Sequence, residues 1–272
     1  MAALRTIGSA IEGSGLDDCW IESDLYGPAT VRQILECGHM KRSLTAHVVT
    51  LQALFDLYKE EFFKQNPELE EQYSMVMNEF KTADLTAEEN VRTLHNKVKI
   101  LLNKDINSEL DKFQDENQNP MFQFMTMYMN MMFLLLSFIR ATRDCLWELH
   151  LASLEHFARF FFAFDRLKYA RMIPVYIADM KELKISDPEI WNEFQSGNFV
   201  VNKSEVPFCA IGPDHGIEHV NRSMKVSGGL VGITLNEAAR SKFFLVAPEL
   251  SRLAQEAKAL GNIKTETVTQ HH

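Results

Sequence analysis

The stretch Met121–Ile139, which reads MFQFMTMYMNMMFLLLSFI, decides the fold class. Its nineteen residues carry no charge, and that length would suit a helix crossing a membrane. Six methionines, polar side chains such as Asn130, and a helical period that continues unbroken beyond Ile139 favour the centre of a soluble helical bundle instead. We therefore predict a buried central helix and no membrane partner.

Helical periodicity extends in both directions from this stretch. Apolar spacing from Met40 to Asn66 predicts one long helix. The central helix is predicted to start after Pro120 and to run, straight or kinked, to Tyr169 or beyond. Pro174 is expected to end or bend the helix that follows. The sequence thus predicts a bundle of long helices.

Local signals indicate where several helices begin and end. Gly38 is expected to close a short helix. Thr86 and Glu89 have the spacing of a capping box. The triplet Asp187-Pro188-Glu189 has the order expected at a helix start, with a capping residue before a first-turn proline.

The sequence changes character near its last third. Phe199–Asn202 and Pro207–Gly212 are short β-prone runs joined by residues 203–205, which predicts a hairpin. The predicted fold class is therefore mainly α, a long-helix bundle with a small β-hairpin near the C-terminus. We divide the chain into a helical bundle at 1–198, a hairpin with C-terminal helices at 199–261, and a disordered tail at 262–272.

Composition narrows the classes of function. The formal net charge of −9 argues against a broad phosphate-binding surface. The four cysteines are scattered without metal-ligand spacing, which is typical of a reduced, intracellular protein. We expect an intracellular location, nuclear or cytoplasmic.

One short motif points to zinc. His215-Gly-Ile-Glu218-His219 matches the pattern H-x-x-E-H, in which two histidines on one helix face bind Zn²⁺ and the glutamate acts as general base. The pattern fixes only three residues, and Gly216 and Pro213 weaken the helix that it needs. The alternative is that both histidines are polar surface residues.

A second group of candidates is basic and follows the central apolar stretch. It consists of Arg140, Arg143, Arg159, Arg166, Lys168 and Arg171. Such side chains could bind a nucleic-acid backbone through its phosphates. The alternative is that they solvate helix faces and pair with Glu155 and Asp165 at helical spacing.

Several local signatures resemble a large group of uncharacterised animal proteins that look transposon-derived. The matching pieces are Ile7-Gly8, Glu12-Gly13-Ser14-Gly15-Leu16, Tyr26-Gly27-Pro28, Gly38-His39, Arg42, Phe138-Ile139-Arg140, Arg143, Trp147-Glu148-Leu149-His150-Leu151, Asp165, Tyr169-Ala170-Arg171, Pro174-Val175-Tyr176, Met180, Glu218, Asn221, Gly228-Gly229 and Gly232-Ile233-Thr234. The similarity covers almost the whole chain.

The resemblance implies the C-terminal half of a DDE transposase with a ribonuclease-H-like core. Such cores hold two divalent metal ions, for example Mg²⁺, with two aspartates and one glutamate. By that resemblance Glu218 takes the place of the glutamate, and Asp214 is the alternative. The strands and aspartates that would precede it are not in this sequence, so we expect an incomplete core with a helical insertion, no bound cofactor and no nuclease activity.

Three functional hypotheses follow. The first is a transposase-derived fragment that acts in protein association or weak DNA contact, as a homo-oligomer or with the missing N-terminal half. It predicts an exposed apolar patch and self-association. The second is a stand-alone helical scaffold unrelated to DNA, and the third is a zinc hydrolase using His215 and His219.

Overall fold

The structure, a computed structural model, describes residues 2–84, 86–202, 206–213 and 216–218, together with Arg252 and Glu256, but not the side chains of residues 103–105. This part of the chain is mainly helical. Its α-helices are α1 (Ala2–Ile11), α2 (Leu16–Glu22), α3 (Pro28–Leu35), α4 (Met40–Gln65), α5 (Pro67–Thr82), α6 (Glu88–Ile100), α7 (Asn107–Glu116), α8 (Pro120–Arg143), α9 (Trp147–Ala163), α10 (Leu167–Ser186) and α11 (Pro188–Gln195), with a π-helical segment at Leu101–Ile106.

The chain divides into two units. The first consists of Met1–Ala141 and Leu146–Gln195, and therefore holds almost all of the described helices. The second joins Thr142–Cys145 to the residues from Ser196 onward.

Helix α8 supplies the centre of the first unit's core. Tyr128, Met131 and Met132 have no exposed surface. These side chains belong to one apolar cluster with buried residues of α1, α2, α3, α4, α9 and α10. The predicted central core helix is confirmed for this face of α8.

The remaining surface of α8 is less covered. Judged by length and composition, α8 is the one helix in the described part of the chain that could cross a membrane, and 28% of its most apolar window is buried. Phe133 remains 41% exposed and makes an edge-to-face contact with Phe55 of α4, with ring centroids 5.7 Å apart. Core helices of water-soluble bundles pass the same test, so the apolar length is weak evidence for a membrane span.

A buried polar cluster joins α2, α4 and α8. Nδ1 of His47 lies 3.0 Å from the hydroxyl oxygen of Tyr128, and the indole N–H of Trp20 donates to Oγ1 of Thr50 at 2.8 Å. Burial lowers the pKa of His47 to about 4, so the imidazole is neutral near pH 7. Because buried polar groups need their partners, this cluster fixes where α8 lies on α4.

The predicted single helix from Pro120 to Tyr169, straight or kinked, is wrong, because the chain breaks twice. Cys145 and Asp165 adopt left-handed backbone conformations, with φ of 60° and 52°. In each case the next N–H donates to the carbonyl five residues back, Leu146 to Ala141 and Arg166 to Phe161, both at 2.8 Å. These are Schellman caps built without glycine, so α8, α9 and α10 are separate helices.

The other predicted helix ends have mixed outcomes. The side-chain oxygen of Asp187 accepts from the N–H of Ile190 at 3.2 Å, which confirms the predicted start of α11. The predicted capping box is wrong, because α6 begins after Ala87, while Thr86 donates to the carboxylate of Asp84 instead. Helix α10 continues through Pro174 to Ser186, so this proline does not end it.

The second unit contains the segment for which a hairpin is predicted. Val201 and Ile211 form an isolated antiparallel bridge, with both N–H groups donating at 2.9 Å. The side chain of Phe199 is buried, and Ala210 has no exposed surface. Residues 203–205 and the predicted helices and tail beyond residue 218 lie outside the described residues, Arg252 and Glu256 excepted. The hairpin as a whole therefore stays a prediction.

Close helix packing in the first unit depends on one glycine. A Cβ atom placed on Gly8 of α1 would lie 2.1 Å from the carbonyl oxygen of Leu35, at the end of α3. That oxygen is backbone and cannot turn away as a side chain could. The absence of a side chain at Gly8 therefore lets α1 and α3 approach each other.

The buried His47 predicts an acid-sensitive core. Its pKa of about 4 in the folded protein lies below the ordinary 6.5, so folding favours the neutral ring. The stabilisation is complete above about pH 6.5 and is lost as the pH falls towards 4, by roughly 3 kcal/mol in total. Denaturant unfolding between pH 4 and 7.5 measures this. As the pH is lowered, the free energy of unfolding should fall less steeply in His47→Asn than in the wild type.

The matched control is His95→Gln, which replaces an exposed histidine. Part of the slope should persist in His47→Asn, since burial also lowers the pKa of His150 to about 4. An identical pH slope in wild type and His47→Asn would contradict the assignment.

Gly8→Ala should lower the free energy of unfolding by about 2 kcal/mol or more, because the new methyl group overlaps backbone. Gly38→Ala is the control, since the nearest atom to a Cβ there lies 3.5 Å away, an ordinary contact. Urea titration of both variants measures the difference. Equal stability of the two would show that α1 and α3 do not meet as described.

Candidate functional site

The candidate carboxylate Glu218 lies in the second unit. It is exposed and helical. The neighbouring Gly216 is buried against Val201, where a Cβ would lie 3.1 Å from a methyl carbon. Asp214, His215 and His219 lie outside the described residues. Both the nuclease assignment and the zinc assignment therefore remain predictions.

No group of three or more histidine, cysteine, aspartate or glutamate side chains in the described part of the chain is arranged to hold a metal ion. This leaves the prediction about cofactors untested. The geometry that can be described concerns the basic residues and the surfaces on which they lie.

Two of the six basic candidates bind main-chain groups. A guanidinium nitrogen of Arg166 donates to Oγ of Ser9 at 2.6 Å and to the carbonyl of Arg5 at 3.3 Å, which ties the α9–α10 corner to α1. Arg143 donates to the carbonyl of Ala210 at 3.4 Å within the second unit. These two guanidinium groups help hold the fold together.

The other four basic candidates are exposed, but they lie on three different helices. Arg140 is on α8, Arg159 is on α9, and Lys168 and Arg171 are on the first turns of α10. The guanidinium carbon of Arg159 lies 4.8 Å from the ring centroid of Phe160. These four candidates therefore do not share one helix face.

The predicted pairing with acidic residues on the same helix is not what the structure shows. Glu155 pairs with Lys181 of α10 at 2.6 Å, across the antiparallel α9–α10 hairpin. Lys181 lowers the pKa of the Glu155 carboxyl, chiefly through this hydrogen bond. Lys168 and Arg171 are left without an ion pair in the part of the chain that the structure describes.

A groove of about 360 Å³ is bounded by the C-terminal end of α7 and by the helices α8 and α9. The glutamines of its lining have partners. Gln123 donates to Gln118 at 3.1 Å, Gln118 donates to the carbonyl of Asp115 at 2.6 Å, and Gln114 donates to the hydroxyl of Tyr58 at 3.1 Å. Asp115 and Arg159 are its charged groups. Oγ1 of Thr126, which also lines the groove, is buried and has no hydrogen-bond partner among the described residues.

The outward face of α10 has a more distinctive composition. Six exposed side chains share it at helical spacing, and we call them the α10 stripe: Lys168, Arg171, Met172, Val175, Asp179 and Glu182. Met172 is 68% exposed and Val175 is 58% exposed. The opposite face buries Ile173 and Ile177 in the core, so the orientation of α10 is fixed by packing.

The charges of the α10 stripe have no partners in the part of the chain that the structure describes. Lys168, Arg171, Asp179 and Glu182 make no side-chain hydrogen bond or ion pair with any residue that the structure describes. Neighbouring charges outside the stripe do have partners, since Lys181 pairs with Glu155, and the Lys184 ammonium lies 5.9 Å from the centroid of a tryptophan ring. The stripe therefore combines an exposed apolar centre with charges that are unpaired within the described residues.

The sequence indicates the basic part of the α10 stripe but not its acidic part. Lys168 and Arg171 can be recognised as cations, but no motif connects Asp179 and Glu182 with them. The spacing of three, four, seven, eleven and fourteen residues after Lys168 is the signal that would have indicated a single helix face. What the spacing could not indicate is which face of α10 the core covers.

Comparison with known proteins gives a family without an assigned activity. The model of a domain of unknown function, DUF8702, matches residues 1–272. No curated protein and no solved structure matches the chain. Since the family match covers all 272 residues, the chain belongs to the DUF8702 family.

Proposed function

We propose that this protein is a helical association module that binds another protein through the α10 stripe and has no catalytic centre of its own. The observation that carries this proposal is the pair Met172 and Val175, exposed on a helix whose other face is locked into the core. A monomer with nothing to bind gains no stability from such a pair, flanked by four charges that have no partner among the described residues. Burying it against a partner removes apolar surface from water.

The expected strength of this association is modest. Full burial of a methionine or valine side chain contributes about 1.5–3 kcal/mol, and both side chains are already partly covered in the free protein. The charges add little affinity because they are exposed, but they select the partner and its orientation. We therefore expect a reversible complex.

The proposal is also compatible with the transposase resemblance. In that account the chain is an incomplete, transposon-derived core whose small hairpin and Glu218 complete a ribonuclease-H-like site only when another segment supplies the aspartates and Mg²⁺. An intracellular location, nuclear or cytoplasmic, would follow. Association through α10 does not depend on this origin, because a stand-alone scaffold would use the same surface.

Weak DNA contact is the second candidate, favoured by the exposure of Arg159, Lys168 and Arg171. Cations that neutralise phosphates release counterions, so such binding would weaken steeply with salt. The acidic Asp179 and Glu182 on the same stripe, and the net charge of −9, act against it. Protein association uses all six residues of the stripe, whereas DNA contact uses two.

The association proposal predicts that Met172→Ser with Val175→Ser lowers the native size of the endogenous protein. Size-exclusion chromatography of extracts, with detection by antibody, should show a larger native size for the wild type than for the variant. Met75→Ser with Ile100→Ser is the matched control, because these side chains are 56% and 62% exposed on other helices. An unchanged elution of the α10 variant would overturn the proposal.

DNA contact predicts a different pattern in the same region. Arg159→Gln with Lys168→Gln should weaken binding to a mixed-sequence DNA duplex at low salt, and the effect should shrink as salt rises. The serine variant at Met172 and Val175 should bind DNA as the wild type does. Equal binding by all three proteins in a fluorescence anisotropy titration would remove DNA contact through these residues.

A further inference from the structure

We infer that the partner of the α10 stripe is a second copy of this chain, docked with the two α10 helices antiparallel across a two-fold axis at Val175. This inference rests on the proposed association and names the occupant of the same surface. The order of charges along the stripe carries it.

The stripe has a basic end, an apolar centre and an acidic end. Lys168 and Glu182 each lie seven residues from Val175, and Arg171 and Asp179 each lie four residues from it. With a rise of about 1.5 Å per residue, the outer pair lies about 10 Å and the inner pair about 6 Å from the centre. The four charges are therefore symmetric in position about Val175 and opposite in sign.

This symmetry makes the stripe complementary to itself in one orientation. Antiparallel packing about Val175 brings Lys168 opposite Glu182 and Arg171 opposite Asp179, twice each across the axis. Parallel packing in register would bring like charges together, which is unfavourable. A contact of one surface patch with its own copy is what a two-fold dimer requires.

The apolar centre fits the same arrangement. Val175 meets its own copy on the axis. Met172 comes three residues before Val175 and lies beside the turn that follows Val175 in the other copy of α10. Methionine is flexible and can fill an irregular gap between two helices. The apolar side chains would provide the burial, and the charges would fix the orientation and the register.

Other occupants use the stripe less completely. A nucleic acid would engage Lys168 and Arg171 but would be repelled by Asp179 and Glu182. An acidic helix of another protein would meet the same repulsion at its second half. A second copy of the chain is present wherever the protein is, so this dimer requires no other component.

Two charge variants test the inference. The acidic variant carries Lys168→Glu and Arg171→Glu, and the basic variant carries Asp179→Lys and Glu182→Lys. All four positions are exposed, so both variants should fold, which circular dichroism can verify. Sedimentation velocity on the purified full chain measures the dimer.

The wild type should dimerise reversibly, with a dissociation constant in roughly the micromolar range. Each variant alone should dimerise at least about tenfold more weakly, because every charge contact becomes repulsive. An equimolar mixture of the two variants should recover the dimer. A protein with all four substitutions should also dimerise, since its charges are again complementary.

The remaining outcomes separate this inference from the proposed function. A wild type that stays monomeric at about 100 µM would overturn the second copy as partner, while the extract experiment would still decide whether α10 binds another protein. Dimers that persist in both variants would show that another surface is used. A mixture that stays monomeric although the wild type dimerises would overturn the antiparallel register.

Discussion

The position of α8 depends on the contact between Tyr128 and His47, because an otherwise apolar helix face carries a hydroxyl group into the core. Both side chains are fully buried, and the imidazole nitrogen and the hydroxyl oxygen lie 3.0 Å apart. Methionines pack acceptably in many arrangements, whereas a buried hydroxyl needs a partner at a defined place. The contact therefore selects one position for α8, whereas apolar packing alone would specify that position less well.

Other features of the first unit follow from the position of α8. With α8 fixed on α4, the helices α1, α3 and α9 complete the same cluster, and the close approach of α1 to α3 is possible only at Gly8. Helix α10 packs against α9. It buries Ile173 and Ile177 and leaves the α10 stripe exposed. The exposure of Met172 and Val175 is thus a consequence of core packing, not of a loosely attached helix.

The sequence predicts the core helix but not where it ends. Nineteen uncharged residues leave few alternatives to a buried or spanning helix, so α8 can be found from composition. Its breaks cannot, because they occur at Cys145 and Asp165, where the signal for a helix end would be glycine. The start of α11 can be found because its cap lies in the side chain of Asp187 itself.

The candidate site is predictable to a similar extent. Lys168 and Arg171 can be identified as cations on a helix, but their exposure depends on which face of α10 meets α9 and the core. Arg143 and Arg166 look equivalent to them in the sequence, yet the fold directs their guanidinium groups to main-chain carbonyls. Local charge pattern predicts which residues can bind, while tertiary packing decides which of them remain available.

Zero-length carbodiimide cross-linking of the purified protein, followed by peptide mass spectrometry, tests the central claim most directly. Lys168 and Glu182 of one chain are fourteen residues apart on α10, about 21 Å, so a direct amide between them can form only between two chains. Lys181 and Glu155, 2.6 Å apart, provide an internal control for the reaction. The account predicts both the Lys168–Glu182 and the Lys181–Glu155 links. A Lys181–Glu155 link without any link from Lys168 to Glu182 would contradict it.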